Sequence, residues 1–133
     1  MKKVAVVGSR DYYNKQESRA IINRVLDEIG LTHQEIEIVS GLARGADTLG
    51  EEFAYDFNIR FHPFPADWDK FGKAAGYIRN GEMAQVSDYV IAFWDGKSRG
   101  TKNMIQSSYT SYGCEVWIWN YVEKRLIQLK QKQ

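Results

Sequence analysis

Residues 4–10, VAVVGSR, run without a break from a purely apolar stretch into a glycine, a hydroxyl and a guanidinium. Val4 to Val7 do not alternate with polar residues, which is the pattern of a central parallel strand covered on both faces. No hydrophobic core needs Ser9 or Arg10. A strand ending in Gly8-Ser9-Arg10 is expected where backbone comes close to a charged or polar ligand: Gly8 clears space, and Arg10 presents a fork of donors to a phosphate or carboxylate.

Outward from this strand, the chain alternates. Ser18 to Ile29 reads as a helix with Ile22, Val25, Leu26 and Ile29 on one face and Gly30 as its stop. Ile36 to Val39 is a second strand, running into Ser40 and Gly41. A helix from about Ala43 to Phe57 carries Ala46, Leu49, Gly50, Phe53, Ala54 and Phe57 at helical spacing. A third strand, Ile59 to Phe64, leads through a loop to a helix over Gly76 to Val86. Asp88 to Phe93 is a fourth strand, Thr101 to Tyr112 a further helix, and Val116 to Trp119 a fifth strand. Asn120 to Leu129 reads either as a hairpin turning at Glu123-Lys124-Arg125, which adds an edge strand, or as a short helix. Lys130 to Gln133 reads as a frayed end. Strand alternating with helix implies right-handed crossovers and a doubly wound α/β domain, a mostly parallel sheet of about five strands with helices on both faces.

Composition bounds the function. A chain of 133 residues is the size of one ordinary domain. Net charge is +1 and the pI about 7.8, so no global electrostatic argument for nucleic acid or membrane binding exists, and any anion site is local. The single cysteine, Cys114, rules out an intramolecular disulfide and suits a reducing cytoplasm. Val4 to Val7 is too short for a signal-peptide core, and no apolar run approaches the roughly 20 residues of a membrane span. A soluble cytoplasmic protein is expected. His33 and His62 have no partner at metal-ligand spacing, so no metal or cofactor is expected. Neither a nucleophile elbow nor a GxxxxGK[ST] loop is present, which argues against ATP hydrolysis. Aromatic content is high at 14%, as core and interface material or as a stacking surface.

The residues a core does not need fall after the carboxyl ends of strands, where open α/β sheets bind ligands. The second such loop is Ser40-Gly41-Leu42-Ala43-Arg44-Gly45-Ala46-Asp47, and another runs from Trp94 through Asp95, Gly96, Ser98 and Gly100 to Thr101. Gly8, Gly41 and Gly96 also suit tight turns. Gly45, inside a helical pattern, costs about 1 kcal/mol against Ala and suggests a close approach of the helix start. Helix starts offer free N–H groups to phosphate oxygens. Asp47 either caps its helix or pairs with Arg44 or Arg10, or else it touches ligand. In the middle loop Trp68 lies between Asp67 and Asp69. It either stacks on a purine, with Asp67 accepting from ribose hydroxyls, or anchors the loop. Arg79-Asn80 beside Gly81 reads as a ligand contact or an interface, and Ser98 and Thr101 offer hydroxyls to a second phosphate.

SGLARGAD, residues 40–47, is similar to the SGxARGxD signature of the DNA-processing protein A family. With Gly8-Ser9-Arg10 and the Gly100-Thr101 pair, the chain resembles the wider SLOG superfamily, which includes the LONELY GUY phosphoribohydrolases. It is closer still to the YspA-like branch, through those segments together with Pro65 to Met83 and Phe93 to Thr101. The resemblance spans almost the whole chain. It implies a Rossmann-like fold whose pocket binds nucleotides or nucleotide-derived molecules, including ADP-ribose-type signals. It also implies self-association into homo-oligomers, and a place in bacteria or their phages, often near conflict and defence systems. In the phosphoribohydrolases a glutamate follows the Gly-Thr pair, three residues after the threonine. Here that position is Met104, and a thioether is neither an acid nor a base, so hydrolysis would need Asp95, Asp47 or Asp67 instead. The leading expectation is a binding module that senses or sequesters a nucleotide-derived ligand. The alternatives are an enzyme cleaving an N-glycosidic bond and a single-stranded DNA binder. The net charge argues against the last, although Arg10, Arg44, Arg79, Arg99, Lys73, Lys97 and Lys102 could cluster on one face.

Overall fold

The computed structural model describes residues 1–130. Its strands are β1 (Lys2–Gly8), β2 (Ile36–Ser40), β3 (Phe61–Pro63), β4 (Tyr89–Trp94), β5 (Glu115–Asn120) and β6 (Arg125–Leu129). The helices are α1 (Lys15–Ile29), α2 (Ala46–Asp56), α3 (Trp68–Phe71), α4 (Ala75–Val86) and α5 (Arg99–Gln106). The strands form one sheet in the order β3-β2-β1-β4-β5-β6. All neighbours are parallel except β5 and β6, where Trp119 faces Leu126 in an antiparallel pair. This is the Rossmann-like doubly wound arrangement, with the extra C-terminal edge strand that the hairpin reading of Asn120 to Leu129 requires. The strand order reverses between β1 and β4.

The unbroken apolar run of β1 has a direct cause, because both its faces are covered. Val4 and Val6 pack with α1 and α2, against Ile22, Leu26 and Phe53. Ala5 and Val7 pack on the opposite face, against Met83 and Ala84 of α4 and Met104 of α5. Trp117 and Trp119 belong to the first of these cores, so two of the four tryptophans are core material.

The structure moves several predicted boundaries. Helix α1 begins earlier, at Lys15, because the Asn14 side chain accepts the Glu17 N–H and caps it. Helix α2 begins later, at Ala46, since Gly45 has φ +81, and a Cβ there would overlap the Ser9 carbonyl and the Arg10 backbone. Strand β3 shrinks to Phe61–Pro63, because the Ile59 N–H is taken by the Ala54 carbonyl at the end of α2 (2.8 Å). The last predicted helix divides into α5 and a π-wound turn over Ser107–Ser111. The frayed end expected at Lys130 to Gln133 falls, after Lys130, outside the described residues.

Glu17 ties the C-terminal hairpin to the first helix. One carboxylate oxygen accepts from the Tyr12 hydroxyl (2.8 Å) and the Trp119 indole N–H (2.9 Å), and the other pairs with Lys124 (2.7 Å). Burial works to raise this carboxyl, but the donors from Lys124, Trp119 and Tyr12 outweigh it and hold the group below the ordinary glutamate range. Among the described residues no helix is long and apolar enough to cross a membrane.

Candidate functional site

At the carboxyl edge of the sheet, where the order reverses, lies a cavity of about 460 Å³. It is built by four segments. The end of β1 supplies Gly8, Ser9 and Arg10, and the loop after β2 supplies Ala43, with Asp47 from the first turn of α2. Helix α4 adds Arg79 and Asn80, while the start of α5 adds Ser98, Gly100, Thr101 and Met104. Trp68, 51% exposed, stands at its rim. A second cavity of about 350 Å³ adjoins the first and shares Arg10, Ala43, Trp68 and Arg79 with it; Gly41 and Arg44 line only this one.

The charges are unequal. Arg79 donates to the Gly41 carbonyl (2.7 Å) and to the Asn80 side-chain oxygen (3.2 Å). A Cβ on Gly41 would overlap that guanidinium, so glycine is required there for Arg79 to pass. Burial and the like charge of Arg10 hold Arg79 below its ordinary range, against the pull of Asp47. Arg10, Arg44 and Lys73 are exposed and have no carboxylate partner among the described residues. Asp47 is 4% exposed. Burial pushes its carboxyl up to about 6, although the Arg79 charge and the N–H groups of Ala43, Gly41 and Gly8 pull the other way. Its charge partner is thus Arg79 rather than Arg44 or Arg10. Guanidinium groups crowd one side of the cavity with a single buried carboxylate to offset them, an arrangement that an anion would relieve.

Asn80 reaches across to α5, donating to the Gly100 carbonyl (3.3 Å) and the Asn103 side chain (3.1 Å), which explains an asparagine inside a helix. Ser98 donates its hydroxyl to Asp95 (3.0 Å), leaving Ser9 as donor in the 3.0 Å contact between the two serines. Thr101 is 6% exposed and lines the cavity near Met104.

Five of the expected ligand residues line neither cavity, and each has a structural occupation. Ser40 is buried and donates to the Asp47 carbonyl (3.1 Å). Gly45 makes room for the backbone of Ser9 and Arg10. Asp67 caps α3 by accepting the Lys70 N–H (3.1 Å). Asp95 clasps its own loop, accepting the N–H groups of Lys97 (2.8 Å) and Ser98 (2.7 Å), with Gly96 at φ +86 completing the turn. Gly8 does line the cavity, yet the space it clears is filled by protein: a Cβ would overlap the Phe93 carbonyl and come within 2.7 Å of Ala46. The first N–H of α2 is taken too, since the Ala46 N–H goes to the Ser9 carbonyl (3.3 Å), and in the loop before it the Ala43 N–H goes to Asp47 (3.3 Å). Tyr77, 52% exposed, and Asp11 complete the rim. Neither carries a sequence signal, since an aromatic on a helix and an acid after a strand occur everywhere.

An open doubly wound sheet with a cationic cleft at its switch point places the chain among the Rossmann-like α/β domains, whose ligands, where they have them, sit at that point. Residues 2–71 match the family described as YspA, cpYpsA-related SLOG, and the chain belongs to that family. It is 31% identical over 114 residues to the Gene 61 protein of Mycobacterium phage D29, covering 81% of this chain and 89% of that protein. DNA processing protein A (DprA) from Streptococcus pneumoniae has a similar fold, with a TM-score of 0.68 at 23% identity over 89% of this chain. This chain spans 50% of the DprA chain. Family membership supports a nucleotide-related role at most and names no ligand.

Proposed function

We propose that the cavity captures a nucleotide or nucleotide-derived ligand, an ADP-ribose-type molecule among them, and that the protein acts in the cytoplasm as a sensor or sequestering domain. The observation that carries this reading is the convergence of Arg10 and Arg79 at the junction of the two cavities, beside the half-exposed ring of Trp68. Two guanidinium groups take the phosphate, the indole takes the base, and the hydroxyls of Ser9 and Thr101 lie along the wall between α5 and β1. A volume of about 460 Å³ falls within the roughly 300–1,000 Å³ of small-molecule sites.

Capture without cleavage follows from the carboxylates. Met104 faces the cavity at the position where the phosphoribohydrolases carry their glutamate. Asp95 and Asp67 are engaged in their own turns. Of the three aspartates considered as substitutes, only Asp47 lines the cavity. The test is mass spectrometry of ligand released from denatured protein, followed by incubation with nucleoside monophosphates and ADP-ribose. Ligand recovered intact is expected. Multiple-turnover release of free base, abolished in Asp47→Asn, would overturn the binder reading and establish the enzyme.

Self-association belongs to the same proposal and rests on the superfamily resemblance; sedimentation as a monomer at micromolar concentration counts against it. A single-stranded DNA reading draws on the exposed cations Arg10, Arg44, Lys73, Arg99 and Lys102 with Trp68 nearby. It requires steeply salt-dependent binding of oligonucleotides that a mononucleotide does not displace.

A further inference from the structure

The nucleotide reading leaves one group unexplained, a carboxylate in a site built for an anion. Asp47 sits in the first turn of α2, 4% exposed, with one side-chain oxygen on the Ala43 N–H (3.3 Å), and is among the residues that line the cavity. The charged groups that share its cavity or the adjoining one are Arg79 from α4, Arg10 and Asp11 from the end of β1, Arg44 from the loop after β2 and Lys73 from the turn before α4. Both histidines lie elsewhere: His33 packs on Phe53 and Phe57, and His62 bonds to Glu37. The Arg79 guanidinium is the charge that offsets Asp47. A phosphate seated on Arg10 and Arg79 claims the same positive charge and adds a negative one within the same low-dielectric space. A second anion beside the carboxylate raises the cost of keeping Asp47 charged, and of the two the carboxylate is the one that can shed its charge, by taking up a proton.

Resting on the nucleotide reading, we propose that anion capture in this cavity is coupled to protonation of Asp47, so that the site binds the ligand together with one proton. The carboxyl is already poised for this, because burial places its titration near 6 before any ligand arrives. A bound anion raises it further. Affinity therefore climbs as the pH is lowered through the titration of the bound state, and levels off below that of the free state.

The probe is ADP-ribose, whose pyrophosphate keeps its charge throughout the range, unlike a terminal phosphate with its second ionisation near 6. Calorimetric titration of the full chain between pH 8 and pH 5.5 should show affinity rising about tenfold for each unit by which the anion raises the carboxyl. Titrations in buffers of different ionisation heat should show net uptake approaching one proton near pH 7. Asp47→Asn, a permanently neutral mimic, should bind independently of pH and at pH 8 outdo the wild type, whereas Glu51→Gln, which removes an exposed carboxylate of the same helix that lines neither cavity, should keep the wild-type pH response. Wild-type affinity that is flat with pH overturns the inference, as does affinity that falls toward acid, the sign of a carboxylate accepting ligand hydroxyls in its ionised form. Proton uptake that persists in Asp47→Asn overturns it too. Those results leave the nucleotide reading standing; failure to bind ADP-ribose or any nucleotide at every pH overturns both.

Discussion

Replacing Arg10 by alanine separates ligand binding from folding. The side chain is exposed, makes no hydrogen bond and has no carboxylate partner among the described residues. Its charge lowers the pKa of Arg79, so the two guanidinium groups repel each other. Removing an exposed, unpartnered side chain shifts stability by no more than about 0.5 kcal/mol, and the relieved repulsion makes the sign favourable. Binding responds differently. A charge-assisted hydrogen bond to phosphate contributes about 1.5–3 kcal/mol, so Arg10→Ala should weaken nucleotide affinity roughly 10- to 150-fold. Calorimetric titration measures the affinity, and urea unfolding followed through the buried Trp117 and Trp119 measures the stability. Arg79→Ala is the contrast, since it strips the Gly41 carbonyl of its donor and leaves Asp47 without its counter-charge. It should destabilise the fold by about 1–3 kcal/mol, the scale for leaving a partly buried acceptor without its donor. If Arg10→Ala instead unfolds the protein more easily and leaves affinity intact, Arg10 is a structural cation and the assignment of the phosphate fails.

Asp47 also predicts a pH dependence of stability without ligand. Its folded pKa is raised from 3.8 to about 6, so the folded state holds this proton more tightly than the unfolded chain. Stability from this group is therefore full below the unfolded value and falls as the pH rises through the folded one. At about 1.4 kcal/mol per unit the ionised group costs up to roughly 3 kcal/mol at pH 7. Asp47→Asn should be the more stable protein in urea at pH 7.5, with the gap closing as the pH approaches 4.5. Glu17→Ala should cost about 2–4 kcal/mol by leaving the Tyr12 hydroxyl and Trp119 indole without acceptors, and hydrogen exchange should show the loss in the β5–β6 hairpin first. The Glu17 contribution has the opposite sign to that of Asp47, being present above the unfolded carboxylate range and lost toward acid. Gly41→Ala should displace Arg79 and lower nucleotide affinity, while the same substitution at Gly100, where nothing lies within 4 Å, should not disturb the fold.

The parallel strands were legible because burial on both faces writes itself as unbroken apolar runs, as in Val4 to Val7. Helix α1 was legible because one face alone is covered. Helix α3 was not, since Trp68 to Phe71 is a single turn that buries none of its side chains and is held by the Asp67 cap. The loops at the carboxyl edge were placed correctly, but a residue type does not reveal which partner it serves. An aspartate that clasps its own turn, as Asp95 does, has the same letter as one that lines a cavity, as Asp47 does. That Asp47 and Arg79 line one cavity depends on α2 and α4 reaching the switch point from opposite faces of the sheet, and no local spacing encodes it. Tyr77 escaped for a similar reason: its exposure is a property of where α4 lies.

The reversal of strand order between β1 and β4 also constrains the order of events during synthesis. A chain leaving the ribosome completes β1, α1, β2, α2 and β3 first, and these supply Ser9, Arg10, Ala43 and Asp47. Until β4 is made, one edge of β1 has no partner, and the backbone of Val4 to Val7 offers a template for wrong pairing. Ligand cannot rescue that interval, because Arg79, Asn80 and Thr101 belong to the half still being translated. A bound molecule would stabilise only chains that extend past α5, so shorter fragments would neither compete for ligand nor gain its protection from proteolysis.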